Sequence, residues 1–470
     1  MTDLTIVIPA RNEMFLGKTI ENILENIEGD TEVIAVLDGD WNASEIPDNP
    51  RVKIIRYSQS IGQRAATNRG VDISNAKYVM KVDAHCAFDK GFDVKMIKEM
   101  HDDWTMVPLM KNLHAFDWIC PEGHRRYQGP SGPCTECGKP TTRDVLWFAK
   151  PSPNSTSYCF DPTPHFQYFR DYSKRPEAQG DITETMSLQG SCWMLTRDKY
   201  WELNVCDEAF GSWGSQGIEV AVKTWLSGGR VMVNKKTWYA HMFRTQGGDF
   251  GFPYPIKGSD QEKAKSFAKD LFFNNKWPLQ KRPLSWLIEK FWPVSGWSQE
   301  DLDKLKANTF TFSETARLAP VESEPLESDA PEKLIFDSNI SQEDGKKATK
   351  GILFYTDHAL NMKFAKEVQR NLEKISKEKE IPIVSVSIKP MPDFGSNICL
   401  PDLINDKNKD IKQILMGLEN STAETVYICK KDIIYGSEFF DLDFNPNDSH
   451  GVCGNREELI KYYQNLAKQS

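Results

Sequence analysis

The sequence predicts an α/β protein built on a mostly parallel sheet. Short, largely apolar runs at residues 4–8, 32–37 and 78–82 alternate with segments of helical spacing at residues 16–27 and 63–71. Strands that alternate with helices form parallel sheets with right-handed crossovers. Polar loops with acidic residues follow these three strands, and the carboxyl ends of parallel strands share the edge at which open α/β folds bind ligands.

Length and charge limit the classes of protein to consider. At 470 residues the chain is long enough for two or three domains, and 39% hydrophobic with 27% charged residues is ordinary for a globular protein. A net charge of −9 argues against binding of nucleic acid through overall charge, although a local basic groove is compatible with it. The sequence shows no signal peptide and no membrane-spanning run. We therefore expect no membrane partner and a reducing cytoplasm, that of a bacterium or of a host if the chain is phage-encoded.

The strand at residues 78–82 ends at Asp83, and His85 follows two residues later. A carboxylate oxygen with an imidazole nitrogen suits Mn²⁺ or another first-row divalent ion better than Ca²⁺. Taken alone, this pattern is weak and is more typical of a turn acid beside a surface histidine. The acidic loops at the same sheet edge favour the metal site.

Four motifs then point to a known family. They read IVIPARNE at 6–13, VLDGD at 36–40, GQRAATNRG at 62–70 and VMKVDAH at 79–85. In order and spacing they resemble the GT-A glycosyltransferase domain of family 2, a Rossmann-like fold that uses nucleotide-diphospho-sugars. The resemblance implies a UDP-sugar donor and a set of contacts: Pro9, Ala10, Arg11 and Glu13 along the uridine, Asp38 on the base, Arg64 and Asn68 near the diphosphate or ribose, and Asp83 and His85 on a Mn²⁺ (or Mg²⁺) that bridges the phosphates.

A second module lies at residues 206–244 and resembles the polypeptide N-acetylgalactosaminyltransferases, which carry W-G-G-E, a helix and a closing G-H-x-F-R. The resemblance implies that His241 is the third metal ligand and that Arg244 contacts the diphosphate. It implies a mobile lid at residues 245–254 that ends in Tyr254. It also places Trp213 and Gly214 under the sugar, while Gly190, in a strand predicted at residues 188–195, permits close approach.

The module departs from that family at one position. Gln216 stands where the relatives have an acid, and an amide cannot act as a general base at any pH. Glu219, or else Asp207, is therefore the candidate general base that activates the acceptor hydroxyl for an inverting attack, and Trp213 completes the predicted catalytic set. In the alternative no base is needed, because the leaving diphosphate takes the proton in a retaining displacement.

An insert at residues 113–141 has metal-ligand spacing. Cys120-x₃-His124 followed by Cys134-x₂-Cys137 is typical of a structural Zn²⁺ site. Four unrelated reduced side chains, or a disulfide between Cys134 and Cys137, are the alternatives. The site would staple a loop or support a platform for a large acceptor.

The domains are predicted as follows: a GT-A domain at 1–300, an acidic linker at 301–348 and a smaller, truncated transferase-like α/β accessory domain at 349–470. In the last, Lys430-Lys431-Asp432 follows a strand where similar bacterial and phage domains carry E-H-D, so we expect no metal there.

Together these features predict a Mn²⁺-dependent hexosyltransferase that moves a sugar from a UDP-sugar to a hydroxyl of a macromolecule. The acceptor is a protein or glycan, or a hydroxymethylated base in phage DNA. The alternative is a degenerate transferase fold that binds a nucleotide or glycan without turnover.

Overall fold

The computed structural model describes residues 2–39, 46–57, 59–244, 258–310, 350–357, 362–391, 393–441 and 453–469. The chain divides into two compact units, residues 1–317 and 318–470. The first unit contains β1 (Leu4–Ala10), α1 (Leu16–Asn26), β2 (Thr31–Asp38), β3 (Val52–Tyr57), α2 (Gln63–Ile73), β4 (Tyr78–Val82), β5 (Cys86–Phe88), α3 (Phe92–Lys98), β6 (Trp104–Ile119), β7 (Arg125–Tyr127), β8 (Thr142–Ser155), β9 (Tyr158–Phe160), β10 (Phe166–Tyr168), β11 (Ile182–Glu184), β12 (Cys192–Thr196), α4 (Arg197–Leu203), α5 (Gln216–Leu226), β13 (Arg230–His241), α6 (Gly258–Ala268), α7 (Leu284–Lys290) and α8 (Gln299–Ala307).

The predicted parallel sheet is confirmed. Its strands run in the order β11-β13-β6-β12-β4-β1-β2-β3. Strand β1 pairs in parallel with β2 and β4, and β2 pairs in parallel with β3. Strand β12 joins the sheet antiparallel to β4. The carboxyl ends of β1, β2 and β4 therefore meet at one edge, and the fold is the GT-A type of α/β sheet.

Close packing of α2 on β1 depends on a glycine. A Cβ atom on Gly70 would lie 2.4 Å from Cγ1 of Val7, which is far inside van der Waals contact. Val7 is buried in the middle of β1. The absence of a side chain at Gly70 therefore sets the distance between this helix and the sheet.

The insert extends the sheet as a three-stranded ribbon. Strand β6 runs on from the sheet and pairs antiparallel with β7 and β8. One face of the ribbon is apolar, where Phe116, Trp118 and Trp147 pack with Phe15. The other face leaves Phe148 half-exposed. The ribbon is thus anchored at its root by the core of the first unit.

The start of the predicted linker is helical. Helix α8 begins with a capping box in which Ser298 and Asp301 satisfy each other's backbone N–H groups. Leu302 and Leu305 of this helix are buried. Two apolar residues at helical spacing are too weak a sequence pattern to overcome the acidic composition around them. Residues 311–349 lie outside the described part of the chain.

The second unit contains β14 (Lys350–Thr356), α9 (Met362–Lys379), β15 (Ile383–Ser387), β16 (Ser396–Cys399), α10 (Lys409–Asn420), β17 (Thr425–Lys430), β18 (Ile433–Tyr435), β19 (Cys453–Asn455) and α11 (Arg456–Gln469). Its sheet has the order β16-β15-β14-β17-β19, with β19 antiparallel to its neighbour. This order repeats β3-β2-β1-β4-β12 of the first unit. The helix contact is repeated as well, since a Cβ on Gly417 of α10 would lie 2.5 Å from Leu353 of β14.

Strand register aligns the two units residue by residue. Val7 is opposite Lys81 in the first unit, and Leu353 is opposite Ile428 in the second. Counting two and four residues onward places Lys430 at the position of Asp83, and Asp432 at the position of His85. At this edge the structure forms ion pairs instead, in which Lys431 and Lys409 both contact Asp357.

None of the described helices is both long enough and apolar enough to cross a membrane.

Candidate active site

A cleft of about 360 Å³ lies at the carboxyl edge of the first unit's sheet. Most of the residues predicted to bind a donor line it, as do all three predicted metal ligands: Pro9, Ala10, Arg11, Glu13, Asp38, Asp83, His85, Trp213, His241 and Arg244. They come from the ends of β1, β2, β4 and β13 and from the loop before α5. The structure therefore brings together residues separated by more than 200 positions in the sequence.

Strand pairing brings the three candidate metal ligands together. Strand β5 pairs with β13 so that Cys86 is opposite His241, which places His241 beside His85. Oδ2 of Asp83 lies 3.3 Å from Nε2 of His241 and 3.9 Å from Nε2 of His85. Ligand atoms of all three residues lie within 4.8 Å of one another. One oxygen and two imidazole nitrogens at this separation fit a divalent first-row metal ion.

The electrostatics of the three side chains suit a cation. Burial lowers the pKa of His241 to about 4, against the opposing effect of Asp83, so its imidazole is neutral near pH 7. Burial alone would raise the pKa of Asp83, but the Lys81 ammonium and a hydrogen bond with His241 hold it well below its usual range. A neutral imidazole and an ionised carboxylate are the forms that bind metal.

Glu13 links a candidate metal ligand to a cation of the cleft. Its Oε2 lies 3.3 Å from Nδ1 of His85, and its Oε1 accepts a hydrogen bond from Nη2 of Arg244. Carboxylates behind metal-binding histidines commonly fix the orientation of the ring. The structure thus gives Glu13 a positioning geometry, in addition to its place in the cleft wall.

Asp38 lies in the cleft wall with its carboxylate held by the next loop. Oδ1 accepts a hydrogen bond from the N–H of Ile61 at 2.6 Å, and Oδ2 accepts from Ser60 Oγ at 2.7 Å and from the N–H of Gly62 at 3.1 Å. These bonds order the loop before α2, which itself lines the cleft. Asp38 lines the cleft, and its contact with the base of a nucleotide stays a prediction.

Two residues expected near the diphosphate or ribose face elsewhere. Arg64 is 1% exposed and donates to Glu219 and to the carbonyl oxygens of Gly211 and Gly214. Asn68 donates to the carbonyl of Cys206. Both side chains brace the loop that precedes α5. The motif identifies these two residues in the sequence, but their positions on α2 direct both side chains away from the cleft.

Glu219 has a placement that does not fit a general base. Its side chain is 0% exposed. Oε2 accepts from Arg64, while Oε1 accepts from Lys223 at 2.9 Å and from the N–H of Asp207 at 2.8 Å. Asp207 itself caps a short helical turn by accepting from the N–H of Ala209. Neither carboxylate lines the cleft, because both are occupied in holding the second module together.

The remaining predicted residues lie behind or beside the cleft wall. Gln216 is buried, and its amide contacts Sγ of Cys206 at 3.3 Å. The carbonyl of Gly190 accepts from Lys81 at 2.8 Å. Gly214 has a φ of +106°, which favours glycine, and lies against α6. Tyr254 and the predicted lid lie outside the described residues.

Several cleft residues were not predicted from the sequence, namely Ser60, Gln63, Gln189, Ser212, Phe243 and Asp260. Asp260 is the most informative, since it places a partly exposed carboxylate in the cleft from the first turn of α6. Among the residues that the structure describes, no hydrogen bond or ion pair engages that carboxylate. An acid in the first turn of a helix was the available sequence signal.

A second cluster lies in the insert. Nδ1 of His124 lies 3.6 Å from Sγ of Cys120 and 3.6 Å from Sγ of Cys134, and Sγ of Cys137 lies 3.6 Å from that of Cys120. Tetrahedral zinc with bonds of about 2.0–2.3 Å places its ligands at separations of this size. All four residues could hold one ion, and all three cysteines are free thiols, so the Cys134–Cys137 disulfide is absent. Hydrogen bonds from the backbone N–H groups of Cys137 and Glu136 lower the pKa of Cys134 to about 6, which favours the metal-binding thiolate.

Residues 5–119 match the model of the family described as Glycosyl transferase family 2. The chain is similar to human polypeptide N-acetylgalactosaminyltransferase 13, with 21% identity over 325 residues, which cover 63% of this chain and 50% of that protein. It is similar to human polypeptide N-acetylgalactosaminyltransferase 14, with 22% identity over 202 residues, which cover 42% of this chain and 31% of that protein. The chain thus spans half or less of the length of these relatives. A crystal structure of GalNAc-T7 with UDP, GalNAc and Mn²⁺ is similar at 15% identity and a TM-score of 0.42, over 65% of this chain and 54% of that one.

The buried position of Glu219 leads to a stability prediction. We expect Glu219→Gln to lower the free energy of unfolding by about 3–5 kcal/mol, because Arg64 and Lys223 lose their shared anion in the interior. Urea-induced unfolding followed by tryptophan fluorescence measures the change. Glu208→Gln is the matched control, since Glu208 is exposed and should change stability little. Loss of turnover with full stability would contradict this role and favour Glu219 as a base.

Proposed function

We propose that this chain, whose residues 5–119 form a glycosyl transferase family 2 domain, is a metal-dependent glycosyltransferase that uses a UDP-sugar. The observation that supports it best is the convergence of Asp83, His85 and His241 beside Arg244 in one cleft. A degenerate binding protein would have no need of three buried or half-buried metal ligands and a cation at the same sheet edge.

The donor would lie along the carboxyl ends of β1 and β2, where open α/β sheets bind nucleotides. Pro9, Ala10 and Arg11 line this part of the cleft. Trp213 offers an aromatic face on which a sugar ring can pack. The diphosphate would then reach the end of β4 and the guanidinium of Arg244.

Asp83, His85 and His241 would hold Mn²⁺ or Mg²⁺ at the donor site. Such an ion neutralises the charge that develops on a diphosphate leaving group. Arg244 would share this role, and Glu13 would hold the guanidinium in place through the hydrogen bond described above. A cation that is already oriented stabilises developing charge without reorganisation during the reaction.

We propose Asp260 as the general base for the acceptor hydroxyl. The other cleft carboxylates, Glu13, Asp38 and Asp83, are hydrogen-bonded or ion-paired with neighbouring residues. Asp260 is partly exposed in the cleft and lies on α6, whose backbone packs beside Gly214. A carboxylate in this position can accept a proton from a hydroxyl group that approaches through the open side of the cleft.

The proposed acceptor is a hydroxyl of a polypeptide or glycan, since the relatives named above are polypeptide transferases. A hydroxymethylated base in DNA is the second candidate. The three-stranded ribbon of the insert carries half-exposed Phe148 and Tyr127, with Lys150 over the tyrosine ring, and aromatic rings beside a cation are a surface on which bases can stack. Product analysis by mass spectrometry with serine- and threonine-containing peptides and with hydroxymethylated DNA distinguishes the two. Transfer to DNA should also weaken steeply with salt.

The four ligands of the insert would hold one structural Zn²⁺. The loop between His124 and Cys134 ends in Gly129-Pro130-Ser131-Gly132-Pro133, and a run of glycine and proline has little means of ordering itself. Nε2 of His124 lies 3.6 Å from a carboxylate oxygen of Glu136, which is suitable for a second partner of a zinc-bound histidine. The ion would staple the tip of the ribbon.

The metal proposal predicts turnover that depends on two ligands. We expect the wild-type chain to hydrolyse or transfer from a UDP-sugar with Mn²⁺, and we expect Asp83→Ala and His241→Ala to lower the rate by at least about 10²-fold, since each removes a ligand to the leaving-group cation. Release of UDP across a panel of donor sugars measures this. His101→Ala, which changes an exposed histidine that packs against Trp104, is the control. Equal activity in all variants would refute the site.

The base proposal predicts a loss of transfer without a loss of donor binding. We expect Asp260→Asn to reduce kcat for transfer by about 10²–10⁴-fold, because an amide cannot accept the proton. Affinity for UDP should stay unchanged. NMR of the product gives the anomeric configuration, which should be inverted. A retained configuration with an undiminished rate in Asp260→Asn would instead support displacement without a base.

The zinc proposal predicts a stoichiometric metal. We expect elemental analysis of the purified chain to find one Zn²⁺ per molecule, and we expect the Cys134→Ser/Cys137→Ser variant to lose it, since serine is a poor zinc ligand. Cys399→Ser, at a partly exposed cysteine of the second unit, is the control and should keep the metal. Unchanged zinc content in the double variant would show that the cluster does not bind the ion.

A further inference from the structure

A buried lysine lies directly behind the carboxylate of Asp83. Lys81 is in the middle of β4, between Val7 of β1 and Trp193 of β12. Its side chain is 1% exposed. Because a buried ammonium is costly unless it is paired and hydrogen-bonded, the groups that it contacts define its role.

The ammonium of Lys81 has two hydrogen-bond acceptors on two different segments. It donates to Oδ1 of Asp83 and, at 2.8 Å, to the carbonyl oxygen of Gly190. The backbone of Asp83 is itself fixed, since its N–H donates to the carbonyl of Ser191 at 2.8 Å. Lys81 therefore holds the carboxylate of Asp83, while the segment before β12 holds its backbone.

The two oxygens of Asp83 have separate partners. Oδ1 faces the ammonium of Lys81, whereas Oδ2 faces Nε2 of His241 and Nε2 of His85. Only Oδ2 is thus directed at the two imidazoles. A metal ion held there would receive one oxygen from this carboxylate, because the other is engaged by a cation.

We propose that Lys81 is a positioning residue that fixes Asp83 as a one-oxygen ligand and thereby makes the site discriminate against Ca²⁺. The inference rests on the proposed metal site. Ca²⁺ takes six to eight oxygen ligands and often uses both oxygens of a carboxylate, whereas Mg²⁺ and Mn²⁺ accept fewer ligands. Closing the second oxygen of Asp83 removes a ligand that Ca²⁺ would use.

A purely electrostatic role for Lys81 makes a different prediction. Removing a positive charge next to the site would strengthen the binding of every divalent ion by a similar factor, since the repulsion depends on charge and distance. The ratio of the Ca²⁺ and Mn²⁺ dissociation constants would then stay constant. A positioning role changes this ratio, so the ratio separates the two.

The experiment compares Lys81→Met with Lys53→Met in the full chain. Lys53 is also a buried lysine of the same sheet, paired with Glu32 and not part of the cleft wall. Electron paramagnetic resonance measures free Mn²⁺ directly, and competition with Ca²⁺ gives both dissociation constants. We expect the ratio of the Ca²⁺ to the Mn²⁺ dissociation constant to fall about tenfold in Lys81→Met and to stay unchanged in Lys53→Met. Tenfold is the lower end of the effect on metal affinity when a residue that supports a metal ligand is lost.

An unchanged ratio in Lys81→Met would overturn the inference while leaving the metal site intact. If the wild-type chain binds no Mn²⁺, or if His241→Ala binds Mn²⁺ as tightly as the wild type, the metal site itself is overturned. Circular dichroism establishes that the variants are folded. If Lys81→Met does not fold, Lys81→Gln replaces it; its shorter amide cannot bridge both acceptors, and the ratio should change in the same direction.

Discussion

The ion pairs of the Glu219 carboxylate with Arg64 and Lys223 are the interaction that holds the two halves of the first unit together. The carboxylate is buried between Arg64 of α2 and Lys223 of α5, so it joins a helix of the parallel half of the sheet to a helix of the second module. Arg64 in turn holds two carbonyl oxygens of the loop that carries Trp213. An interior anion with two cations tolerates little displacement, since each uncompensated charge is costly. The position of Trp213 in the cleft is therefore fixed from beneath, by groups that never meet a ligand.

Sequence reasoning located the candidate metal ligands because they stand at the ends of strands. A buried apolar run has a definite end, and parallel strands bring their ends to one edge, so Asp83 and Asp38 could be placed before any coordinates. Helical residues were harder to predict. Arg64 and Glu219 belong to recognisable motifs, but a shift of one position along a helix decides whether a side chain points into the cleft or into the core. Asp260 follows a segment without strong periodicity, and only tertiary packing brings it to the site. Lys81 belongs to the VMKVDAH motif. Its contact with Asp83 arises because side chains two residues apart lie on the same face of a strand.

The cleft also shows coupling between its parts. Glu13 contacts both His85 and Arg244, so one carboxylate holds the imidazole of a candidate metal ligand and the nearby guanidinium. Lys81 similarly contacts both Asp83 and the loop at Gly190. Side chains joined in this way respond together to substitution, and their effects should not be additive.

The second unit repeats the strand order of the first with other residues at the strand ends. Its Gly417 contact and its register against β17 match those of the first unit, while Lys430 and Asp432 stand at the positions of Asp83 and His85. The two units thus share hydrogen-bond register and helix spacing while they differ in the residues at their strand ends. Such a scaffold can carry different chemistry at the same edge, because the packing beneath the strand ends does not depend on which side chains stand there.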